Sequence, residues 1–180
     1  MAISRKLFRL FKFFNEYATI QKTLKGDAAP ADKYLAVLTR LAFFFYWVFD
    51  NLGVLVKVKF IKSLELAPTV RRANSFWLLG LILTIIGGIR SLLKLAVEGK
   101  ELKLKSKEMD ETSYKEKAAK IKATRTTAIL TLIKAFGDTT TASQGLGYPK
   151  QFLGVDFNDG IVGVGGFTSA AINCYQQYPK

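Results

Sequence analysis

The chain has no histidine and only one cysteine, Cys174, in 180 residues. The first absence removes the usual general base at neutral pH and the His/Cys ligand sets of zinc sites. The second rules out an internal disulfide and suits a reducing compartment, or a membrane facing one. Carboxylates are also scarce, with 14 Asp and Glu against 27 Lys and Arg. Six of those acids fall in one mid-chain segment and the rest are scattered, so no pair stands out for acid–base work. Gly163, Gly165 and Gly166 do not make a G-x-G-x-x-G fingerprint, no βαβ unit surrounds them, and there is no P-loop. Cys174 lies in an apolar run without a histidine partner and reads as an inert thiol. No enzyme, cofactor or metal is expected. The N-terminus is not a secretory signal, because Arg5, Lys6, Arg9 and Lys12 interrupt its apolar residues.

What the chain does have is apolar and basic. Hydrophobic residues make up 49%, fourteen residues are Phe, and the net charge is +13. That balance suits an anionic membrane surface or nucleic acid. The length fits one domain or one membrane unit.

Residues 2–25 form the first segment. At 100° per residue, Ile3, Leu7, Leu10, Phe11, Phe14, Tyr17 and Ala18 share one face, which Phe13, Ile20 and Leu24 widen. Arg5, Arg9, Lys12, Asn15, Glu16 and Thr19 take the other, with Lys6 at the boundary. A basic amphipathic helix with an aromatic face lies in a membrane interface, although a helix packed on a core shows the same periodicity. The membrane-binding set is Arg5, Lys6, Leu7, Arg9, Leu10, Phe11, Lys12 and Phe14.

Gly26 closes this helix and Pro30 stops its continuation. The next segment, 32–65, is aromatic-rich, with Asp32 as a candidate N-cap. Its unbroken apolar run, 41–49, is too short to span a bilayer alone. It reads as partly embedded or packed on neighbours, with Gly53 as a candidate break. Ala67-Pro68 reads as a turn and Ser75 as a cap. Residues 76–97 are long enough to form a first membrane segment, with Arg90 and Lys94 snorkelling near one end. A buried soluble helix or a re-entrant segment also fits that run. Residues 98–125 carry nine basic and six acidic side chains and read as a solvated helix with Glu111–Lys115 and Glu116–Lys120 pairs. In 126–159 an apolar helix ends near Gly137 and gives way to a loop.

The last segment, 160–178, holds nineteen residues without a charge. As a helix it would extend ~28 Å, close to the thickness of a hydrocarbon core. Its small residues Gly163, Gly165, Gly166, Ser169 and Ala170 form small-xxx-small pairs, suited to close helix–helix association. A Gly-rich buried strand or loop is the soluble alternative. The expected fold is therefore all-α: an integral membrane protein with an N-terminal amphipathic helix and two embedded hydrophobic helices, 76–97 and 160–178.

Four patches, in order, resemble the peroxin-eleven family of peroxisomal membrane proteins. They are SRKLFRLFKFFNEY, FFYWVFDNLGVL with Asp50 and Asn51, RRANSFWLLGLI with Trp77, and DGIVGVGGFTSAAINCYQQYP with Tyr175. The chain departs from the family by starting at the amphipathic helix, as a short member, a divergent relative or a shortened chain would.

The resemblance implies an integral protein of the peroxisomal membrane that inserts its amphipathic helix, self-associates, and curves, elongates and proliferates the organelle ahead of fission. The partners implied are anionic phospholipids, further copies of the chain and the fission machinery, with no nucleic acid. The alternative implied is an oligomeric pore for small metabolites. A basic RNA-binding protein would leave 76–97 and 160–178 unexplained.

Overall fold

The computed structural model describes residues 9–107 and 109–178, and all its regular elements are helical. They are α1 (Lys12–Lys25), α2 (Pro30–Lys57), α3 (Leu66–Leu104), a short 3₁₀ turn (Lys105–Lys107), α4 (Glu111–Leu146), α5 (Tyr148–Leu153) and α6 (Asp159–Gln177). The long helices pack as a row in which α1 lies on α2, α2 on α3, α3 on α4 and α4 on α6.

Helix α1 starts later than the amphipathic pattern suggests. Phe11 takes a left-handed conformation at φ 65° and residues 9–11 form a turn. The helix does not stand apart but runs antiparallel along α2. Phe13 meets Phe44 edge-on at 5.9 Å, Arg40 pairs with Glu16 at 3.3 Å, and the Lys12 ammonium lies 4.6 Å from the Trp47 ring centre. Gly26 ends α1, and Pro30 opens α2 where a missing N–H costs nothing.

Helix α2 passes Gly53 without a break. Its N-cap is Ala29, not Asp32. Asp32 turns to α3, where it accepts from Arg90 Nε and Nη2 at 3.1 Å each and pairs with Lys94. At the other end of this antiparallel pair, Phe76 stacks on Phe49 at 5.6 Å and Trp77 on Tyr46 at 5.5 Å. The aromatic patches of residues 44–49 and 76–77 thus clasp one another, each pair adding about 0.5–1.5 kcal/mol beyond its buried area.

Helix α3 begins at Leu66, before the expected turn at Ala67-Pro68, because proline is tolerated in a first turn. Ser75 is consequently mid-helix, donating to the Arg71 carbonyl rather than capping. The charged segment 98–125 is not one helix. It divides between the end of α3 and the start of α4, which form two charged arms running past the beginning of α2. Asp110 caps α4 by accepting from the backbone N–H groups of Thr112 and Ser113, and the expected Glu111–Lys115 pair forms at 2.7 Å. Asp110→Ala should therefore cost about 1 kcal/mol. A lowered thermal midpoint with α4 frayed at 111–114 in hydrogen exchange would show it, and an unchanged midpoint would contradict it.

Gly137 does not end α4, which continues to Leu146. Gly147 and Gly154, both at φ 74°, take the left-handed turns that bracket α5. Gly137 instead admits α6. A Cβ on it would lie 2.6 Å from the Gly165 carbonyl oxygen, so the two backbones touch. Leu81, Ala135 and Ala142 form the small core between α3 and α4.

Candidate membrane-facing surface and polar trough

Among the described residues two helices, Pro30–Lys57 and Leu66–Leu104, are long and apolar enough to cross a membrane. Only 22% and 17% of their most apolar stretches are buried within the protein, so most of that apolar surface faces outward, where a soluble core helix would be covered. The expected segment 76–97 lies inside the second. The run 41–49, read as too short to span alone, lies inside the first, because a continuous helix carries apolarity past interruptions such as Arg40. Residues 160–178 do form a helix, α6, but it is not one of the two. Asn173, Gln176 and Gln177 dilute its last turns.

Each long helix of the row has two faces. On α3, Leu79, Ile82, Ile86, Leu93 and Val97 are exposed along one side, while Trp77, Leu81, Thr84, Ser91 and Lys94 lie on the opposite side. Helix α4 repeats the division, with Ile129, Ile133 and Phe136 outward and Thr131, Lys134, Asp138 and Thr141 inward. On α6, Ile161 and Val164 are exposed, and Ser169, Asn173 and Gln177 are inward. The inward faces of α1, α2, α3, α4 and α6 together line one trough of about 1100 Å³. That is room for about thirty-five waters at ~30 Å³ each.

The trough carries charge of both signs: Arg9, Lys12, Arg40, Lys94 and Lys134 against Glu16, Asp32 and Asp138. Lys134 donates to Asn173 Oδ1 at 2.6 Å, and Asp138 bonds to the Ser169 hydroxyl. A single charge facing lipid at a helix centre costs roughly 2.5–3.5 kcal/mol. Gathering these groups on one concave face, partly paired, avoids that cost. Among the described residues no cluster of His, Cys, Asp and Glu could hold a metal ion.

The sequence-derived sites distribute unevenly over this architecture. Phe11 and Phe14 are 64% and 60% exposed and, with Tyr17 and Leu24, form an apolar stripe on α1 that points away from the bundle. Leu10 is half-buried. Arg9 and Lys12 line the trough instead. Arg5, Lys6 and Leu7 lie outside the described residues. Of the small residues on α6, Gly165 and Ser169 are buried. Gly165 lies against α4, its added Cβ colliding with Thr140 Oγ1 and Gly137 O. Gly166 and Ala170 line the trough, and Gly163 is exposed with nothing near it. The set does not form a single face.

Asp50 and Asn51 are both buried, and neither side-chain amide atom of Asn51 has a hydrogen-bond partner among the described residues. Trp77 lies in the aromatic clasp, and Tyr175 is 55% exposed. The trough itself was missed by sequence reading. Its signal is there, as Thr39, Thr84, Ser91, Thr131 and Thr141 recur on single faces of apolar helices, but neutral hydroxyls hardly disturb a hydropathy pattern.

A family described as peroxisomal biogenesis factor 11 matches residues 1–178. The chain is 28% identical over 185 residues to "Peroxisomal membrane protein 11C" of Arabidopsis thaliana, covering 99% of this chain and 74% of that protein. No solved structure matches.

Proposed function

Because the chain belongs to the peroxisomal biogenesis factor 11 family, we propose that it curves and elongates the peroxisomal membrane by wedging an apolar stripe of α1 into one leaflet and concentrating such wedges by self-association. Membership brings a role in peroxisome membrane proliferation and a peroxisomal membrane location. The integral attachment, the wedge and the self-association are our reading.

The observation that carries the reading is the outward stripe. Phe14, Tyr17 and Leu24 are large, exposed and on one side of α1, and Phe11 at its N-cap stacks on Phe14 at 6.3 Å. Apolar area inserted at headgroup depth expands the leaflet that receives it, and anionic lipids attract the surrounding lysines and arginines. For self-association the free surface is the outer side of α6, with Gly163, Val164 and Phe167, since α6 packs chiefly on α4. Fission machinery would act on the elongated membrane afterwards.

The test is imaging of the tagged chain with a peroxisomal marker while its level is raised. Longer or more numerous peroxisomes carrying the tag are expected. A cytosolic or nuclear signal would overturn the reading.

One observation favours a pore for small metabolites as a second reading. The trough carries charged and hydroxyl side chains among its apolar ones, and a second copy laid over it would close it into a channel. Solute flux across vesicles containing the inserted protein is the corresponding test.

A further inference from the structure

The trough of a single copy is a groove with an open side. Its outer walls are α1 and α6, the two ends of the row. Along α3 its lining runs from Trp77 to Lys94. That is seventeen residues, or ~25 Å at 1.5 Å per residue, most of the ~30 Å of a hydrocarbon core. The backs of the same helices are apolar and exposed. We infer that the trough is a passage for phospholipid headgroups: a zwitterionic headgroup moves along the polar groove while its acyl chains stay in the surrounding lipid, letting lipid cross between leaflets. This inference rests on the membrane-embedded reading of α2 and α3.

The arrangement of charge argues for a headgroup rather than a simple anion. Along α2 the charged steps are Asp32 with Lys94, Arg40 with Glu16, and Trp47 beneath Lys12. They are eight and seven residues apart, or ~12 and ~10 Å. Each ion pair offers a cation for phosphate and a carboxylate for the amine of a headgroup. The pairs are solvent-reachable, with Arg40 44% and Lys94 49% exposed in their side chains, so their partners can be exchanged. Between them Thr39, Thr84 and Thr131 supply hydroxyls. An elongating membrane needs such a path, because lipid added to one leaflet must reach the other for both to grow.

The test uses the full chain in phosphatidylcholine vesicles carrying a trace of acyl-labelled fluorescent phosphatidylcholine. A membrane-impermeant reductant added outside bleaches only the outer-leaflet label when lipid does not cross. With the protein present, the inner-leaflet label should also be lost, while a water-soluble fluorophore sealed in the lumen stays bright. Thr84→Phe should slow the loss by about tenfold, equivalent to ~1.4 kcal/mol on the barrier, and Ile86→Phe on the lipid-facing side should not.

Persistent protection of the inner leaflet, with protein that resists alkaline carbonate extraction, would overturn the inference and leave the membrane reading standing. Bleaching of the lumenal fluorophore would overturn it in favour of the pore. Equal rates for Thr84→Phe and wild type would remove the trough as the path. Protein stripped off by carbonate would sink the membrane reading as well.

Discussion

Phe11→Glu/Phe14→Glu is expected to abolish peroxisome elongation while leaving the chain in the membrane. Neither ring holds the fold together. Both are more than half exposed, and their ring contacts are with one another and with Phe13. Burying a phenylalanine contributes about 1.5–3 kcal/mol. Losing two therefore removes about 3–6 kcal/mol of insertion energy, at least about a hundredfold in partitioning at ~1.4 kcal/mol per decade. The new carboxylates also repel anionic lipid. The exposed apolar wall of α2 and α3, which we propose faces lipid, is untouched, so the protein should still co-fractionate with membranes. Phe13→Glu is the informative comparison, because Phe13 packs edge-on against Phe44 and its loss should loosen α1 from α2. Organelle length is scored against expression level, and elongation by the double variant at the wild-type level would rule the wedge out.

The second large effect is expected at Gly165. A leucine there should release α6 from α4. The obstruction is backbone: a Cβ would lie 2.6 Å from the Gly137 carbonyl oxygen and nearer still to Thr140 Oγ1. Overpacking a tight contact costs about 1–3 kcal/mol, and here the strain cannot be relieved by a rotamer change. Helix α6 is held chiefly by α4, so it should separate, and protease should cut the connection at 154–158 much faster. Gly163→Leu faces open space and should leave protease resistance unchanged while altering association between copies. Equal resistance of Gly165→Leu and wild type would refute the close approach.

The helical character of the chain was legible because its signals are local: apolar periodicity, the Gly26–Pro30 punctuation, the charge-free run at 160–178. Helix ends were less so. Gly53, Ser75 and Gly137 resemble breaks or caps in isolation, yet each sits within a helix whose packing outweighs its weak local preference. Gly137 in particular is there for a neighbouring backbone. The stripe on α1 was legible in part, since amphipathic spacing identified Phe11 and Phe14 but could not tell them from Phe13, which the fold uses. The trough left only a faint trace, the hydroxyls recurring on single helix faces. It exists only where five helices curve together, and no single segment contains enough of it to register.

Docking of α1 on α2 has a consequence for timing. To lie flat at headgroup level, the helix must swing away on the Gly26–Ala29 linker. It would then give up the Arg40–Glu16 pair, the Lys12 contact with Trp47 and the Phe13–Phe44 contact, taking Arg9, Lys12 and Glu16 out of the groove. One copy cannot bend a leaflet and complete the groove at the same moment. Bending and lipid equilibration would alternate within a copy or be shared out between copies, and the ratio of swung-out to docked helices would set whether a tubule narrows or merely lengthens.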